Sequence, residues 1–104
     1  MPPESDWRLL SKSKDRFLGA VCDRILGDAQ ALLSSSKPSS HAKYLELYAL
    51  ITARDDMLGA IFNEWKRSRF YPIMMQLVTE KLISPADLAA YSEETQAIVS
   101  TLLE

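Results

Sequence analysis

Residues 41–69 decide the fold, and they read HAKYLELYALITARDDMLGAIFNEWKRSR. Apolar residues recur there at spacings of three and four, the period that gathers side chains on one side of an α-helix. The stripe, which is interrupted only at Asp55, consists of Tyr44, Leu47, Tyr48, Ile51, Leu58, Phe62 and Trp65. We therefore predict a long amphipathic helix over about 41–69, capped at its start by Ser39 or Ser40.

A second long helical pattern precedes this one and extends to about residue 33, with Ser5 or Asp6 as its expected cap. Its broad apolar side consists of Trp7, Leu10, Phe17, Leu18, Val21, Ile25, Ala29 and Leu32. The polar run 11–16 fits either a solvated stretch of a continuous helix or a break before a helix that starts near Lys14. The serine-rich segment 34–40, which contains Pro38, predicts a flexible linker, and so short a connection favours an antiparallel hairpin.

The C-terminal third carries signals for shorter helices. Pro72 predicts the start of a third helix that runs to about Ile83, because proline is favoured in a first helical turn. The sequence SPAD at 84–87 has the order of a capping box and predicts a short helix, and Ser92 is expected to cap a last one. We predict an all-α fold, a small helical bundle with two longer antiparallel helices and two or three shorter C-terminal helices, in a single domain over residues 1–104.

Composition limits the compartments and partners that we expect. The 104 residues carry a formal net charge of -2, so no global field attracts the chain to nucleic acid or anionic lipid. Cys22 is the one cysteine and cannot form an internal disulfide, which favours a reducing compartment. There is no secretory signal pattern and no apolar run of the roughly 20 residues that span a bilayer. We predict a cytoplasmic protein, with a nuclear location as the alternative, and no membrane partner.

No residue set predicts catalysis. One histidine and one cysteine are too few for a zinc site of ordinary ligand count or for a Cys-His nucleophile pair at a known spacing. No glycine-rich loop leads into a helix with a phosphate-binding lysine. We therefore expect no enzyme activity, no metal and no cofactor.

Residues 14–21 and 54–61 share Asp, Leu, Gly and Ala at equivalent positions. This likeness fits either a duplicated helix or convergence on a common helical composition. Glycine inside a helix costs about 0.5–1 kcal/mol relative to alanine, so Gly19 and Gly59 suggest a packing reason. We predict a close helix crossing at these two glycines.

Asp55 falls on the apolar stripe between Ile51 and Leu58, where an unpaired buried carboxylate is costly. One interpretation places it at the rim of the stripe, or pairs it with Lys14, Arg16 or a tyrosine hydroxyl. The other makes Asp55 a polar contact for a ligand or a partner helix.

The chain holds more apolar residues than one stripe requires, and such a surplus suits an interface. The candidate interface residues flank the main stripes and are Leu45, Leu50, Met57, Ile61, Met74 and Met75. We predict a non-enzymatic protein-protein interaction or regulatory adaptor module that associates with itself. The simplest form is a homodimer that buries a second face of the 41–69 helix.

The alternative function is nucleic-acid binding by residues 65–71, which read WKRSRFY. Lys66, Arg67 and Arg69 would contact phosphates, and Tyr71 could stack on a base. A solvated helix end explains the same residues, because basic side chains interact favourably with the terminal helix dipole. The acidic overall charge favours this structural explanation.

Overall fold

The computed structural model describes residues 2–36 and 39–103, and Lys37 and Pro38 of the predicted linker lie outside them. In this part of the chain the protein is all-helical, with no strand, which confirms the predicted fold class. The helices are α1 (Glu4–Lys12), α2 (Lys14–Leu33), α3 (Ser40–Phe62), a 3-10 turn (Arg67–Arg69), α4 (Phe70–Thr79), α5 (Pro85–Leu88) and α6 (Glu93–Leu103).

Three serines begin helices as predicted. The Ser39 hydroxyl accepts from the Ala42 amide at 3.1 Å at the start of α3. Ser84 and Asp87 form a reciprocal capping box at α5, with bonds of 3.0 and 3.1 Å. The Ser92 hydroxyl accepts from the Thr95 amide at 3.2 Å and caps α6. Each bond satisfies an amide that has no partner within its own helix.

Of the two alternatives for the polar run 11–16, the structure has the break: α1 and α2 are separate helices that meet at Ser13. Several other predicted boundaries are wrong. Helix α1 starts after Pro3, with Ser5 and Asp6 inside its first turn. The helix predicted over 41–69 ends at Phe62. The next helix begins before Pro72 and ends short of the predicted boundary, because its last turn closes through a left-handed residue, Lys81, with φ of 59°.

One apolar cluster, here called the base, joins α1, the neighbouring ends of α2 and α3, and α4 to α6. Its most completely buried residues are Leu10, Phe17, Val21, Ile61, Phe70, Ile73, Met74, Leu77 and Val99. Aromatic rings close one end, where Phe62 stacks on Trp65 at 5.7 Å and Trp65 lies 6.3 Å from Trp7.

Helices α2 and α3 form a hairpin that extends away from the base. Lys43 donates to the Leu33 carbonyl at 3.1 Å, and Arg54 pairs with Asp28 at 2.6 Å. Contacts therefore run in opposite directions along the two helices. The side of α3 that faces α2, here called the seam, has spacings of four and three and consists of Lys43, Leu47, Leu50, Arg54, Met57 and Ile61.

The stripe predicted to form the core is therefore only half covered. Its far part is exposed, at 62% for Tyr44, 65% for Tyr48 and 43% for Ile51. Leu58 and Phe62 enter the base. Leu47 belongs to both sets, and each other seam residue directly precedes a position of the stripe in the sequence. The two cationic seam residues, Lys43 and Arg54, have long side chains whose apolar stems can pack while their charged ends reach polar partners.

The predicted glycine crossing is wrong. A Cβ atom added to Gly19 would meet nothing within 4 Å, and one added to Gly59 would meet only the side chain of Asn63, at 2.9 Å. No helix backbone approaches either glycine closely. Replacement of Gly19 by a residue with a Cβ atom, such as alanine, therefore causes no steric clash at that atom.

The molecule is elongated because the hairpin outreaches the base. Its extents are 53 × 24 × 24 Å and its radius of gyration is 16.7 Å, against about 13 Å for a compact chain of 100 residues. The solvent-accessible surface is 6618 Å², whereas a compact monomer of 11.7 kDa exposes roughly 5900 Å². The chain thus leaves about 700 Å² more surface in water than its mass requires.

Candidate functional site

The far half of the hairpin carries a cluster of uncovered apolar side chains, here called the distal face. It consists of Leu26, Leu33, Tyr44, Tyr48 and Ile51, each between 43% and 65% exposed. Tyrosine and leucine side chains of this size are normally buried at least in part, and a contiguous apolar patch is typical of interaction surfaces.

Helix geometry places both halves of the distal face on one side of the hairpin. In α2, Leu26 follows the buried Ile25. In α3, Tyr48 and Ile51 likewise each follow a seam residue. One residue rotates a side chain by about 100° around the helix axis. In both helices the exposed residue directly follows one that faces the other helix, so its side chain is turned by the same angle from the α2–α3 contact. In an antiparallel pair these two equal rotations point to the same side of the hairpin. The leucines of α2 therefore lie beside the tyrosines of α3.

The distal face continues a stripe that is buried elsewhere. Along α3 the same spacing leads from Ile51 through Asp55 to Leu58 and Phe62, and Phe62 is only 8% exposed beneath Trp65. The base thus covers the lower end of the stripe with aromatic rings. The far end has the same pattern and no cover within the described chain.

Asp55 is exposed and marks the border between the covered and uncovered parts. Within residues 2–36 and 39–103 it makes no ion pair or hydrogen bond, so the predicted pairing does not form there. Lys14 instead lies over the Trp65 ring at 5.4 Å, and Arg16 lies over Phe17 at 4.7 Å. The rim interpretation describes the isolated chain, and a contact with a partner stays a prediction.

The interface residues chosen from sequence fall into three groups. Leu45 is 51% exposed and borders the distal face. Leu50, Met57 and Met75 are partly buried against α2 or the base. Ile61 and Met74 are core residues, so their placement on a free surface is wrong.

The sequence interpretation also missed Leu26 and Leu33. The sequence contains a signal for Leu26. Ile25 lies on the predicted apolar side of the first long pattern, and Leu26, which follows it, is an apolar residue that points away from that side. An apolar residue in such a position is the signal that could have found it.

The basic segment has less free charge than its sequence suggests. Arg67 pairs with Glu4 at 2.5 Å and donates to the Pro2 carbonyl at 3.2 Å. Lys66 pairs with Glu64 at 3.2 Å. Tyr71 packs edge-on against Phe70, with ring centroids 5.1 Å apart. Two of the three cations already have acidic partners, and Arg69, like Tyr71, is partly buried.

A groove of about 650 Å³ lies between α2, α3 and the end of α4. Arg54 is held there by Asp28. Arg24 donates to the carbonyl oxygens of Glu80 at 2.6 Å and Lys81 at 3.2 Å, which satisfies the last turn of α4. Arg54 thus joins the two helices of the hairpin, and Arg24 joins the hairpin to the base.

A buried polar cluster joins the two ends of the chain. Asp6, only 3% exposed, accepts from the Ser92 amide at 3.0 Å, the Ser92 hydroxyl at 2.6 Å and the Thr95 hydroxyl at 2.5 Å. The carboxylate therefore caps α6 from α1. Burial, with Asp6 nearby, raises the pKa of Tyr91 to about 12. Asp6, Tyr91 and Thr95 are buried and Ser92 is partly buried, so we assign the cluster a structural role.

No protein-family model, curated protein or solved structure matches the chain. Across the described residues, no three side chains of the metal-ligating types come together, and none of the helices is both long and apolar enough to cross a bilayer. The distal face is therefore the feature on which a function can be argued.

Proposed function

We propose that the protein is a non-enzymatic interaction module of a regulatory or adaptor kind that binds through the distal face and associates with itself. The observation that carries this proposal is the apolar stripe of α3, which is buried at Phe62 and 65% exposed at Tyr48. A pattern suited to burial along its whole length calls for a cover along its whole length. We further propose a cytoplasmic location, with a nuclear one as the alternative.

The area available fits an interface of ordinary size. Aromatic side chains bury roughly 150–250 Å² each. At their observed exposures, the five side chains of the distal face offer on the order of 600 Å² per copy. A standard interface buries about 800 Å² per partner, including a polar rim. This agrees with the roughly 700 Å² of surface that the elongated chain exposes beyond a compact one.

The occupant that the helices favour is a second hairpin. Each helix of a four-helix bundle contacts two neighbours and so carries two apolar strips. Both α2 and α3 have two strips, one turned to the other helix and one uncovered. A second copy supplies the two missing helices, and twofold dimers are the commonest oligomers of identical chains.

The test is the mass in solution as a function of concentration, measured by analytical ultracentrifugation. We expect the natural chain to dimerise and Tyr48→Glu to stay monomeric, because a charge would be buried in the interface. Ala53→Glu is the matched control: it adds the same charge to α3 at an exposed position that precedes the seam residue Arg54, away from the distal face. A natural chain that is monomeric at all concentrations, or equal dimerisation of both variants, would contradict the proposal.

Nucleic-acid binding by residues 65–71 remains the alternative proposal, and the ion pairs of Lys66 and Arg67 weigh against it. Exchange of Lys66, Arg67 and Arg69 for glutamine should abolish such binding and leave self-association intact. Its signature is an affinity that falls steeply with salt, whereas an apolar protein contact changes little.

A further inference from the structure

We infer that the two copies dock antiparallel through their distal faces. The twofold axis passes between the two α3 helices, level with residues 49–50 of each. Tyr48 then packs against the partner's Ile51, and the Tyr44 hydroxyl donates to the carboxylate of the partner's Asp55. This inference rests on the proposed self-association and adds its orientation and register.

The length of the uncovered stripe places the axis. Helix α3 begins at Ser40, and the base takes over the stripe from Leu58 onward. Residues 49–50 lie midway between these limits. A copy centred there uses the whole uncovered length, roughly 26 Å at 1.5 Å per residue, and the tip of each hairpin ends beside the base of its partner.

The spacing of the stripe is unchanged when its direction is reversed. Tyr44, Tyr48, Ile51 and Asp55 are separated by four, three and four residues, and the reversed order gives the same steps. An antiparallel copy therefore brings each of these residues level with another member of the stripe. The two apolar pairs form the centre, and the two polar pairs lie at the ends.

The polar pairs account for Asp55, which otherwise interrupts the stripe without a partner. A carboxylate covered by an apolar surface loses solvation and needs a hydrogen bond in return. A tyrosine hydroxyl level with it is a suitable donor, since hydrogen bonds to ionised groups are the stronger ones. A parallel copy would place the two Asp55 carboxylates side by side, where they repel.

Helix α2 gives an independent check on the register. In the hairpin Lys43 reaches the Leu33 carbonyl and Arg54 reaches Asp28. Both are long side chains, so neither contact alone fixes the register. The mean of the two contacts places residues 49–50 of α3 beside about residues 29–30 of α2. That point lies midway between Leu26 and Leu33, so the same axis places Leu26 opposite the partner's Leu33.

Disulfide trapping tests this register in the full-length chain. With Cys22→Ser as the background, we would prepare Leu26→Cys and Leu33→Cys separately, mix them, oxidise mildly and identify the linked peptides by mass spectrometry. We expect cross-linked dimers in the mixture, each of which joins one Leu26→Cys chain to one Leu33→Cys chain. Each variant alone should cross-link at least tenfold less, because identical positions lie seven residues apart along the axis, roughly 10 Å. A disulfide spans at most about 7 Å between Cα atoms.

The outcomes separate the register from the proposed function. Cross-linking of Leu26→Cys with itself at the level of the mixture would show either a parallel dimer or an antiparallel one centred near residue 26, and both overturn the register and keep the self-association. A mixture that is monomeric by ultracentrifugation before oxidation overturns both. Leu26 and Leu33 are exposed and Cys22 is partly buried, so the Cys22→Ser background is checked first by circular dichroism and each cysteine variant is compared with it.

A double-mutant cycle tests the polar pair. We expect Tyr44→Phe and Asp55→Ala each to raise the dimer dissociation constant about tenfold, and the double variant to raise it no further than the stronger single change. Multiplied losses in the double variant would overturn the hydrogen bond between Tyr44 and the partner's Asp55.

Discussion

The base and the far half of the hairpin are built from one apolar stripe and differ only in what covers it. At Phe62 the stripe lies beneath Trp65 and is 8% exposed, whereas at Tyr48, four turns earlier, it is 65% exposed. Helix periodicity reports that a surface is suited to burial and does not report which chain buries it. We therefore expect the base to set folding stability, and we propose that the exposed part of the stripe is the part a partner covers.

The largest expected difference between the two regions is in the cost of truncation. Phe70 is fully buried between Tyr71 and Tyr91, so Phe70→Ala should lower the free energy of unfolding by about 3–5 kcal/mol. Tyr48→Ala, measured at concentrations below dimerisation, should change it by less than about 0.5 kcal/mol. Urea unfolding compares them, and similar losses at both sites would remove the distinction.

The next largest effect concerns the contact that closes the base. Asp6→Ala should cost about 2–3 kcal/mol, because three donors at the start of α6 lose their acceptor and one of them, the Thr95 hydroxyl, is fully buried. Asp23→Ala, at an exposed position of α2, is the matched control and should be nearly neutral. Hydrogen exchange should show faster opening at α6 and unchanged α3. Equal losses from the two aspartates would mean that the cluster does not hold α6.

Alkaline pH should weaken the base and spare the hairpin. The pKa of Tyr91 is raised from 10.0 to about 12, so its contribution is fully present below pH 10 and is lost as the pH rises through about 12. Tyr91→Phe should flatten the loss of stability over that window, as measured by thermal unfolding at each pH. Tyr44→Phe, at a position that is 62% exposed, makes the same chemical change outside the base and is the comparison variant. An unaltered pH profile for Tyr91→Phe would assign the loss to other groups.

The smallest effect is a gain. Gly19→Ala should raise the free energy of unfolding by about 0.5–1 kcal/mol, because the position is exposed, helical and free of neighbours within 4 Å of an added Cβ. Gly59→Ala should gain less, since the Asn63 side chain must move. A loss at Gly19 would restore the close crossing that the sequence suggested.

Local signals in the sequence predicted much of this fold. The caps at Ser39, Ser84 and Ser92 lie where serine and its following residues indicate helix starts, because a cap depends on three or four residues alone. The polar run 11–16 indicated a possible break near Lys14 and could not decide between it and a continuous helix. The end of α3 at Phe62 depends on tertiary packing, in which Trp65 stacks on Phe62, and local patterns do not contain that contact.

The candidate site was harder to predict, because α3 carries two adjacent strips with the same spacing. The strip of Tyr44, Tyr48 and Ile51 is uniformly apolar near the tip, and that pattern predicts a core side. The strip that packs on α2 contains Lys43 and Arg54, whose charges reach the Leu33 carbonyl and Asp28 at the edge of the contact. The presence of charged residues in a strip therefore does not show which of two strips with the same spacing packs against the neighbouring helix.

The break between α1 and α2 at Ser13 determines how much of the α3 stripe the base covers. The Ser13 hydroxyl bonds to the Leu9 carbonyl at 3.0 Å, and the chain reverses enough for Trp7 to meet Trp65. An unbroken helix would carry Trp7 onward along the axis of α2 and leave Trp65 and Phe62 bare. The break at Ser13 thereby sets how many turns of the α3 stripe the base covers and how many stay exposed.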